Sequence, residues 1–490
     1  MRLSPLATVI VALTVANATP HPAPLLGLDL LPYLDVCKEI AVQISNASKV
    51  FYPGSLGYVQ DNYHQSTSSS EAAACSVEPG TAEDVGKILS IVGANKTPFA
   101  VKGGGHTMNV HFSSTTGVQI AMSRFKRIFH DAPRSVVELG PGLVWDEVYD
   151  ALDPLNVTVA GGRASGVGVA GLTLGGGTIL VLTNQHGLTI DTVVAYELVL
   201  TNGTIRTVTA ADTDLFWALK GGGNKLGIVT KFTLKAFPYT YVWGGLLLSL
   251  ASRAQIIDAI IDFETNVQDP KAAILPSLII LEGVKLFSLV LFYDAPDQPA
   301  GIFDKFLALP LRSKDVCTRK IKDIVQKTAV RPTTLQRGAF HVVTVPANTR
   351  ELLGAVVEES WSDALTLLLG TATFIGYNIE PFIAGFLNNP NRTSTDSLFP
   401  PTRATGFPLN ILYAWELPTT DGVAVQAIKD SAARLQAIAG SPALPKYPNY
   451  ALGDTLPKDM FGDTGVAKLR TVASGVDPQG IMTLAGGFPL

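Results

Sequence analysis

Four clusters of glycine within residues 103–223 carry the strongest chemical signal in the chain. Glycine lets backbone N–H groups approach an anion closely and adopts the turns that form a phosphate nest. A tight turn in a β-rich fold explains any one cluster, but four of them indicate a large phosphorylated cofactor. The clusters are Gly103-Gly104-Gly105, Gly166-x-Gly168-x-x-Gly171, Gly175-Gly176-Gly177 and Gly221-Gly222-Gly223.

His106 directly follows the first cluster. A lone histidine is more often a hydrogen-bonded core residue than a functional one. Its position after three glycines favours the functional alternative, because the imidazole then lies beside whatever the glycine turn binds. Neutral imidazole is also a nucleophile.

The second cluster matches the residue pattern of a dinucleotide-binding motif but not the structural context that the motif requires. Residues 166–171 read G-x-G-x-x-G, and Asp191 stands 20 residues after Gly171. The Rossmann motif also needs a helix directly after the glycines, and we expect none in the following LTLGGGT. The segment GGGNK lacks the spacing of a P-loop. Neither HExxH nor G-x-S-x-G occurs, so hydrolase chemistry has little support.

Composition places the chain among ordinary globular proteins. Of its 490 residues, 47% are hydrophobic and 16% are charged, with a formal net charge of −4. This is enough apolar material for a large core, and too little charge for a disordered chain. With no basic excess, we expect no nucleic-acid partner and no membrane surface.

The N-terminus has the features of a secretion signal. Arg2 precedes a short apolar run, and the small residues Ala16 and Ala18 form a cleavage site, so we expect a signal peptide over residues 1–18 and a secreted, extracellular protein. A buried N-terminal strand is the alternative. N-x-S/T sequons add weak support for a glycoprotein. They lie at Asn46, Asn95, Asn156, Asn202 and Asn391.

Three cysteines fit an oxidising compartment. Cys37 and Cys75 lie in an early, loop-rich region, and a disulfide between them is plausible, whereas Cys317 stands alone. Three buried free thiols are the alternative. The absence of a CxxC motif argues against thiol redox chemistry and against a zinc site.

The elements that must position these residues fall into two blocks. Up to about Pro238, short strands alternate with a few helices and glycine-rich connections, including a helix in TAEDVGKILSIVGANK capped by Thr81. From Tyr239, longer strands such as KLFSLVLFYD alternate with long helices, such as DGVAVQAIKDSAARLQAIAG with its glycine stop. After about Lys446 we expect loops and one short helix, GVAKLRTVAS.

Several motifs occur together in the order and spacing of one known family. FAVKGGGHTMNVHFSS is followed by GPGLVWDEVYDAL, GVGVAGLTLGGG, HGLTIDTV and GGGNKLGIVTKFTLKAFP. Together they resemble the flavin-binding domain of the berberine-bridge-enzyme-like oxidases of the vanillyl-alcohol-oxidase superfamily. The resemblance is strong over residues 68–240, weak in the middle, and resumes with YPNYALGD and KLRTVASGVDPQGIM.

The resemblance implies an α+β, two-lobed flavoprotein with a PCMH-type FAD-binding domain and an α/β substrate domain, an antiparallel sheet covered by helices. It implies FAD bonded covalently through His106 to the flavin 8α-methyl. The boundaries we expect are 19–67 for an N-terminal segment, 68–240 for the FAD-binding domain, 241–445 for the substrate domain and 446–490 for a returning C-terminal segment. The implied cofactor-binding residues are His106, Gly103, Gly104, Gly105, Thr107, Gly168, Val169, Gly171, Gly175, Gly176, Gly187, Ile228 and Asn449.

The implied catalytic residues are Tyr450, which matches an active-site tyrosine, and His186, which stands where many relatives have tyrosine. Packing against the flavin without proton transfer is the alternative for both. Ala164 stands where some members carry a cysteine that forms a second flavin bond, so we expect a single bond. Val167 at the oxygen-access position resembles oxidases.

Two further positions depart from the family pattern. Met108 stands where plant members carry a tyrosine, and Glu416 is the only acid in the strand where some relatives place a catalytic one. We expect an oxidase that transfers hydride from a small-molecule substrate, at an alcohol, sugar or secondary-metabolite carbon, to flavin, with O2 as acceptor. A flavin-containing oxidative or redox-neutral cyclase and a secreted non-catalytic flavin-fold binding protein are the alternatives.

Overall fold

The computed structural model describes residues 33–177, 182–281, 284–328, 336–368, 372–383, 397–399, 406–440 and 444–490. The expected signal peptide and the sequon at Asn391 lie outside these residues. Within the described part, the strands form three sheets. None of the described helices combines the length and apolar character needed to cross a bilayer.

The first sheet is small and mixed. Its strands run in the order β1-β2-β4-β3, with β1 antiparallel to β2 and with β2 and β3 parallel to β4. As predicted, Thr81 caps the third helix by accepting a hydrogen bond from the Asp84 backbone N–H at 3.2 Å. The elements are β1 (Lys49–Phe51), β2 (Cys75–Glu78), β3 (Phe99–Lys102), β4 (Val118–Ala121), α1 (Leu34–Gln43), α2 (Leu56–Asn62) and α3 (Ala82–Ala94).

A disulfide joins Cys37 in α1 to Cys75 in β2, which confirms the expected pairing. Both residues are fully buried in the core between α1, α3 and the first sheet. The bond therefore fixes the N-terminal helix to the sheet that carries the first glycine loop. Cys317 is exposed and forms no disulfide.

The second sheet is antiparallel and is built around the 11-residue strand β10. The order is β5-β6-β10-β8-β9, and β7 also pairs with β10. The elements are β5 (Ile128–Asp131), β6 (Val136–Leu139), β7 (Val157–Val159), β8 (Val193–Val199), β9 (Ile205–Thr209), β10 (Ile228–Pro238), α4 (Trp145–Leu152), α5 (Val169–Leu174), α6 (Thr183–His186) and α7 (Thr213–Leu219).

The expectation of no helix in LTLGGGT was wrong for its first three residues, because α5 runs from Val169 to Leu174. Val169 is fully buried and its N–H donates to the Leu143 carbonyl at 2.9 Å, so tertiary contacts hold this short segment helical. The Rossmann interpretation still fails. The helix has six residues, and the next strand, β8, pairs antiparallel with β10 instead of entering a parallel sheet.

The third sheet is larger and antiparallel, with strands in the order β14-β11-β13-β12-β16-β17-β15. Its strands are β11 (Val242–Ser249), β12 (Ala272–Leu281), β13 (Val284–Tyr293), β14 (Leu311–Arg319), β15 (Arg337–Val345), β16 (Ala372–Asn378) and β17 (Phe407–Trp415). The remaining helices are α8 (Arg253–Asn266), α9 (Asp304–Leu307), α10 (Ile321–Thr328), α11 (Arg350–Leu368), α12 (Asp421–Ala439) and α13 (Pro457–Val476). As predicted, α12 ends at a glycine, Gly440, which has a φ of 63°.

Both faces of the third sheet are buried, but against different partners. Along β13, Leu289 and Leu291 join the core formed with α8, α11 and α12. The alternate residues Val290 and Phe292 join the core that contains the second sheet. Because side chains alternate between the faces of a strand, one face carries the helices and the other faces the first two sheets. This arrangement confirms the expected helix-covered antiparallel sheet.

The chain passes from one part of the fold to the other near Tyr239, where the predicted short strands and glycine-rich connections give way to longer strands and long helices. Strands of the first two sheets lie within residues 49–238, and those of the third within 242–415. For these two parts we keep the names that the resemblance implies, the flavin lobe and the substrate lobe. The helix α13 contacts α7 of the flavin lobe, so the chain returns there near its C-terminal end. This helix spans 20 residues but is broken at Gly462, whose φ of 67° and ψ of 163° are not helical. The predicted short helix GVAKLRTVAS lies in the part after the break.

Candidate functional site

A cavity of about 1060 Å³ lies between the two lobes. Its walls come from the glycine loops of the flavin lobe, from strands of the substrate lobe and from the C-terminal segment. Most of the expected site residues line it. They are His106, Gly103, Gly104, Gly105, Thr107, Gly168, Gly171, Gly175, Ile228, Asn449 and Tyr450.

Two glycine loops meet back to back at one side of the cavity. A Cβ on Gly104 would lie 2.6 Å from both the Cα and the N of Gly168, closer than real side chains approach backbone. Gly105 has a φ of +68°, which L side chains rarely adopt, whereas a Cβ on Gly171 would meet open space. The loops thus present bare backbone to the cavity, and this cradle fits the phosphates of a dinucleotide cofactor.

A third glycine makes room for a side chain from the C-terminal segment. The amide oxygen of Asn449 would lie 1.9 Å from a Cβ on Gly175, so only glycine fits there. Asn449 Nδ2 donates to the Leu172 carbonyl at 2.9 Å and to the Tyr447 hydroxyl at 2.8 Å. These contacts hold the segment that carries Tyr450 against α5. They therefore fix the position of Tyr450 relative to the glycine loops on the other side of the cavity.

His106 lines the cavity beside this cradle. Burial lowers its pKa to about 4, because the charged imidazolium loses hydration in the protein interior. The ring is therefore neutral at physiological pH. A neutral imidazole retains a nitrogen lone pair, which is the form able to act as a nucleophile.

Tyr450 belongs to a cluster of three polar side chains at the wall of the cavity. Its hydroxyl donates to Glu380 Oε1 at 2.8 Å, and Arg163 Nη2 contacts the same oxygen at 2.5 Å and the Tyr450 hydroxyl at 2.9 Å. Burial alone would lower the pKa of Arg163, but the Glu380 carboxylate outweighs burial, and the pKa is raised. The guanidinium therefore stays charged.

Glu380 reaches the cavity only through its partners. Its side chain is 2% exposed, and it is not among the described residues that line the cavity, whereas Arg163 and Tyr450 are. Its Oε2 atom is buried and has no hydrogen-bond partner among the described residues. A carboxylate so placed is able to take a proton from Tyr450, but it does not touch a bound molecule.

The sequence analysis missed Glu380 and considered Glu416 instead. Glu416 is exposed and lies outside the cavity lining, so its position does not support a catalytic role. The only available signal for Glu380 was an acid two residues beyond an apolar strand, β16. This is a common pattern, and nothing in the local sequence connects Glu380 with Tyr450, which lies 70 residues away.

His186 is not among the residues that line the cavity. Its ring stacks on Phe237 near the end of β10, with the ring centroids 3.7 Å apart and the planes 8° from parallel. Burial lowers its pKa, so the ring behaves as a neutral aromatic group packed on the second sheet. This position does not support the predicted role in catalysis.

Three expected cofactor residues also lie outside the lining. Val169 packs in the core, as described above. A Cβ on Gly176 would lie 2.9 Å from the Tyr447 ring at a φ of +125°, and one on Gly187 would lie 2.5 Å from Asp191 at +84°. These two glycines satisfy backbone and packing constraints, and their positions do not support direct contact with a cofactor.

Comparison with known proteins agrees with the glycine cradle and the cavity. Residues 73–209 match the family described as "FAD binding domain". The chain is 31% identical over 500 residues to "FAD-dependent monooxygenase drtC" of Aspergillus calidoustus, covering 97% of this chain and 94% of that protein. The chain is an FAD-linked oxidoreductase. Its cofactor is therefore FAD.

Solved structures support the same fold. A berberine-bridge-enzyme-like protein of Physcomitrella patens aligns with a TM-score of 0.77 at 17% identity, covering 93% of this oxidoreductase and 98% of that chain. Xylooligosaccharide oxidase from Myceliophthora thermophila C1 aligns with a TM-score of 0.76 at 17% identity, covering 94% and 100%. At this identity the likeness shows the fold alone.

Proposed function

We propose that this oxidoreductase is a secreted oxidase that converts an alcohol to a carbonyl compound and passes the electrons to O2. The observation that carries the proposal is the cluster of Tyr450, Glu380 and Arg163 at the wall of the same cavity that holds the glycine cradle. A proton acceptor backed by a buried carboxylate beside a redox cofactor is the arrangement that alcohol oxidation needs.

The proton path follows from the hydrogen bonds of the cluster. Tyr450 accepts the proton of the substrate hydroxyl as its own proton passes to Glu380 Oε1, 2.8 Å away. Arg163 stabilises the negative charge on the tyrosine oxygen during this transfer. FAD, when bound, supplies the acceptor for the hydride that leaves the substrate carbon. The alcohol thus loses one proton and one hydride, and O2 takes up the two electrons to give hydrogen peroxide.

The charges of the lining favour an alcohol over an amine. Among the described residues that line the cavity, the charged side chains are those of Arg163 and Lys225, and no Asp or Glu side chain lines it. A protonated amine would meet two side chains of its own charge and no acidic one, so its burial there would be costly. A neutral hydroxyl has no such cost.

FAD would be held by the cradle and by a bond to His106. The three glycines at 103–105, together with Gly168 and Gly171, present backbone to the pyrophosphate, and neutral His106 is the attachment point for the flavin. Ala164, which lines the cavity, offers no thiol for a second bond. Thr107, Gly175, Ile228 and Asn449 complete the proposed cofactor site.

Lys225 adds a charge to this site. Its ammonium donates to the Gly486 carbonyl at 3.0 Å, and burial lowers its pKa to about 8. We expect Lys225→Met to weaken FAD binding by about 10-fold to 100-fold, the range of a hydrogen bond to a charged group, and to leave the binding of riboflavin, which has no phosphate, unchanged. The affinity for FAD should also fall as the pH rises through about 8, where Lys225 loses its charge.

The Lys225 measurement is a flavin fluorescence titration in the His106→Ala background, where binding is reversible. Lys235→Met is the matched control, because it removes the same charge at an exposed position outside the cavity. Equal weakening of FAD and riboflavin would show that Lys225 supports the fold and does not contact the phosphates.

Secretion and the domain boundaries belong to the same proposal. The disulfide suits an oxidising compartment, and the sequon residues Asn46, Asn95, Asn156 and Asn202 are exposed. We propose a signal peptide over residues 1–18 and glycans at these sites. The proposed domains are the FAD-binding domain at 68–240 and the substrate domain at 241–445. The segments at 19–67 and 446–490 complete the flavin lobe.

The decisive experiment separates an oxidase from its rivals. The purified protein is mixed anaerobically with benzyl alcohol, cinnamyl alcohol and xylobiose, and the best substrate is then turned over under ¹⁸O2. We expect flavin bleaching, one hydrogen peroxide per carbonyl product, and no ¹⁸O in the product. Incorporation of ¹⁸O would identify a monooxygenase, the activity named for the relative from Aspergillus calidoustus. Absence of bleaching with every alcohol would favour the cyclase or the binding protein.

A further inference from the structure

The substrate lobe contributes both apolar and amide side chains to the cavity wall. Leu275, Phe340 and Leu412 form its apolar part, and Gln326, Asn378 and Asn410 supply the amides. Met108 of the flavin lobe packs against Leu412 and Phe374 in one small apolar cluster. Met108 stands where plant members of the family carry a tyrosine. It therefore extends the apolar surface and does not add a hydroxyl. Such a wall fits a carbon ring better than a molecule with hydroxyl groups on every side.

One amide pair interrupts this wall. Asn378 on β16 and Asn410 on β17 stand directly opposite each other in the strand register, and both line the cavity. Asn378 Nδ2 donates to Asn410 Oδ1 at 2.6 Å. Asn410 is 1% exposed, and its own Nδ2 has no hydrogen-bond partner among the described residues. Since buried donors in proteins are almost always paired, this atom indicates a missing acceptor.

The amide pair lies one strand step from the proton-transfer cluster. Asn378 and Glu380 are two residues apart, and the extended pairing continues between them, because the Ile379 N–H donates to the Pro276 carbonyl at 2.9 Å. β16 ends at Asn378, and two residues of extended backbone span about 7 Å. Glu380 does not line the cavity, but Tyr450, whose hydroxyl is bonded to it, does, so the amide pair and the reacting hydroxyl are separated by roughly the width of one six-membered ring with its substituents.

We propose that the Asn378–Asn410 pair binds a carbonyl-type oxygen on the substrate, across a ring from the hydroxyl that is oxidised. The substrate class is thus an uncharged ring alcohol with one hydrogen-bond acceptor opposite the reacting carbon, and not an oligosaccharide. This inference rests on the proposed function, because Tyr450 and Glu380 fix the position of the reacting hydroxyl. A site built to hydrogen-bond an acceptor rejects an analogue that lacks it, since its buried donor is left unpaired.

The test compares two alcohols of similar shape. The probes are 4-(hydroxymethyl)acetophenone, which has a carbonyl across the ring, and 4-isopropylbenzyl alcohol, which has none. For the wild type we expect a KM at least about 10-fold lower for the carbonyl probe, with similar kcat. In Asn410→Leu this preference should fall to about 2-fold or less, with kcat little changed because the proton-transfer cluster is intact.

Two further variants keep the test interpretable. Asn378→Leu should remove the same preference, and it serves if Asn410→Leu fails to fold, because Asn378 is only half-buried. Asn266→Leu at the exposed end of α8 is the matched control and should keep the preference. Equal KM values for the two probes in the wild type, an unchanged preference in both cavity variants, or a lower KM for xylobiose would overturn the inference.

Binding without turnover separates this inference from the proposed function. Acetophenone and isopropylbenzene carry no alcohol, and their binding is followed by the change in flavin absorbance. If no alcohol bleaches the flavin but acetophenone binds at least about 10-fold more tightly than isopropylbenzene, and only when both asparagines are present, the oxidase proposal fails and the amide site stands. If alcohols bleach the flavin but neither comparison depends on the asparagines, the oxidase proposal stands and the amide site fails.

Discussion

Tyr450→Phe is expected to slow flavin bleaching by an alcohol by about 10²-fold to 10⁴-fold, the usual contribution of a general base. The substitution removes one oxygen, which accepts a hydrogen bond from Arg163 at 2.9 Å and donates one to Glu380 at 2.8 Å. Without it, the described lining residue that still contacts the buried carboxylate is Arg163, and a guanidinium cannot relay a proton because it has no acceptor. The measurement is anaerobic stopped-flow absorbance at saturating alcohol, which isolates the chemical step from reoxidation.

Tyr447→Phe is the matched control, because its ring packs 4.8 Å from that of Tyr450 but does not line the cavity. It deletes the same atom type and one hydrogen bond, from Asn449. We expect the rate of flavin bleaching to change by less than about 10-fold, because the substitution only shifts the position of Tyr450 slightly. Equal losses in the two variants would mean that Tyr450 packs against the flavin without transferring a proton, which was the alternative considered for this residue.

Glu380→Gln examines the second step of the same path. Glutamine keeps the volume and an acceptor for Tyr450 and Arg163, but it cannot take up a proton. We expect bleaching to require a higher pH than in the wild type, because the tyrosine proton must then leave to solvent. A merely structural role for Glu380 would lower the amount of folded protein and leave the pH profile of the remaining activity unchanged.

Local sequence was sufficient to place the first glycine loop and His106 together. The glycine loop, His106 and the strand before them are contiguous, so their order along the chain already determines which groups meet. The helices α3 and α12 were equally readable, because a capping threonine and a terminal glycine act within one helical turn. The disulfide partners also lie in neighbouring early elements.

The contact between Tyr450 and Glu380 could not be predicted from local sequence, because it depends on pairing between distant strands. Glu380 follows β16, which lies between β12 and β17 in the third sheet, and its contact with Tyr450 spans 70 residues. No period or motif encodes that register. The Asn378–Asn410 pair has the same origin, since its residues meet only through the β16–β17 ladder.

The site predictions that the cavity geometry does not support have a common cause. His186, Gly176 and Gly187 were assigned to the site because they stand in motifs that resemble cofactor-binding segments. Their side chains or their conformations instead serve local packing, against Phe237, Tyr447 and Asp191 respectively. A motif fixes the path of the backbone near a site, but it does not specify which residues of that path face the cavity.

His106→Ala is expected to abolish covalent flavin attachment entirely. When the wild-type protein is precipitated with acid, the pellet should stay yellow, and in-gel fluorescence should follow the chain after SDS denaturation. The variant should give a colourless pellet with flavin in the supernatant. His186→Ala is the matched control, because it removes another partly buried imidazole but one outside the cavity, and its pellet should stay yellow.

The pKa of His106 adds a quantitative check on the same bond. Burial lowers this pKa from its usual value to about 4, so the imidazole keeps its lone pair down to that pH. When apoprotein is mixed with FAD, covalent attachment should therefore be independent of pH from about 8 to about 5 and should fail as the pH falls through about 4. A loss near pH 6.5, where an exposed histidine titrates, would show that the attaching imidazole is not buried. A yellow pellet from His106→Ala would place the bond on another residue, and a colourless wild-type pellet would leave FAD held by the glycine cradle and Lys225 alone.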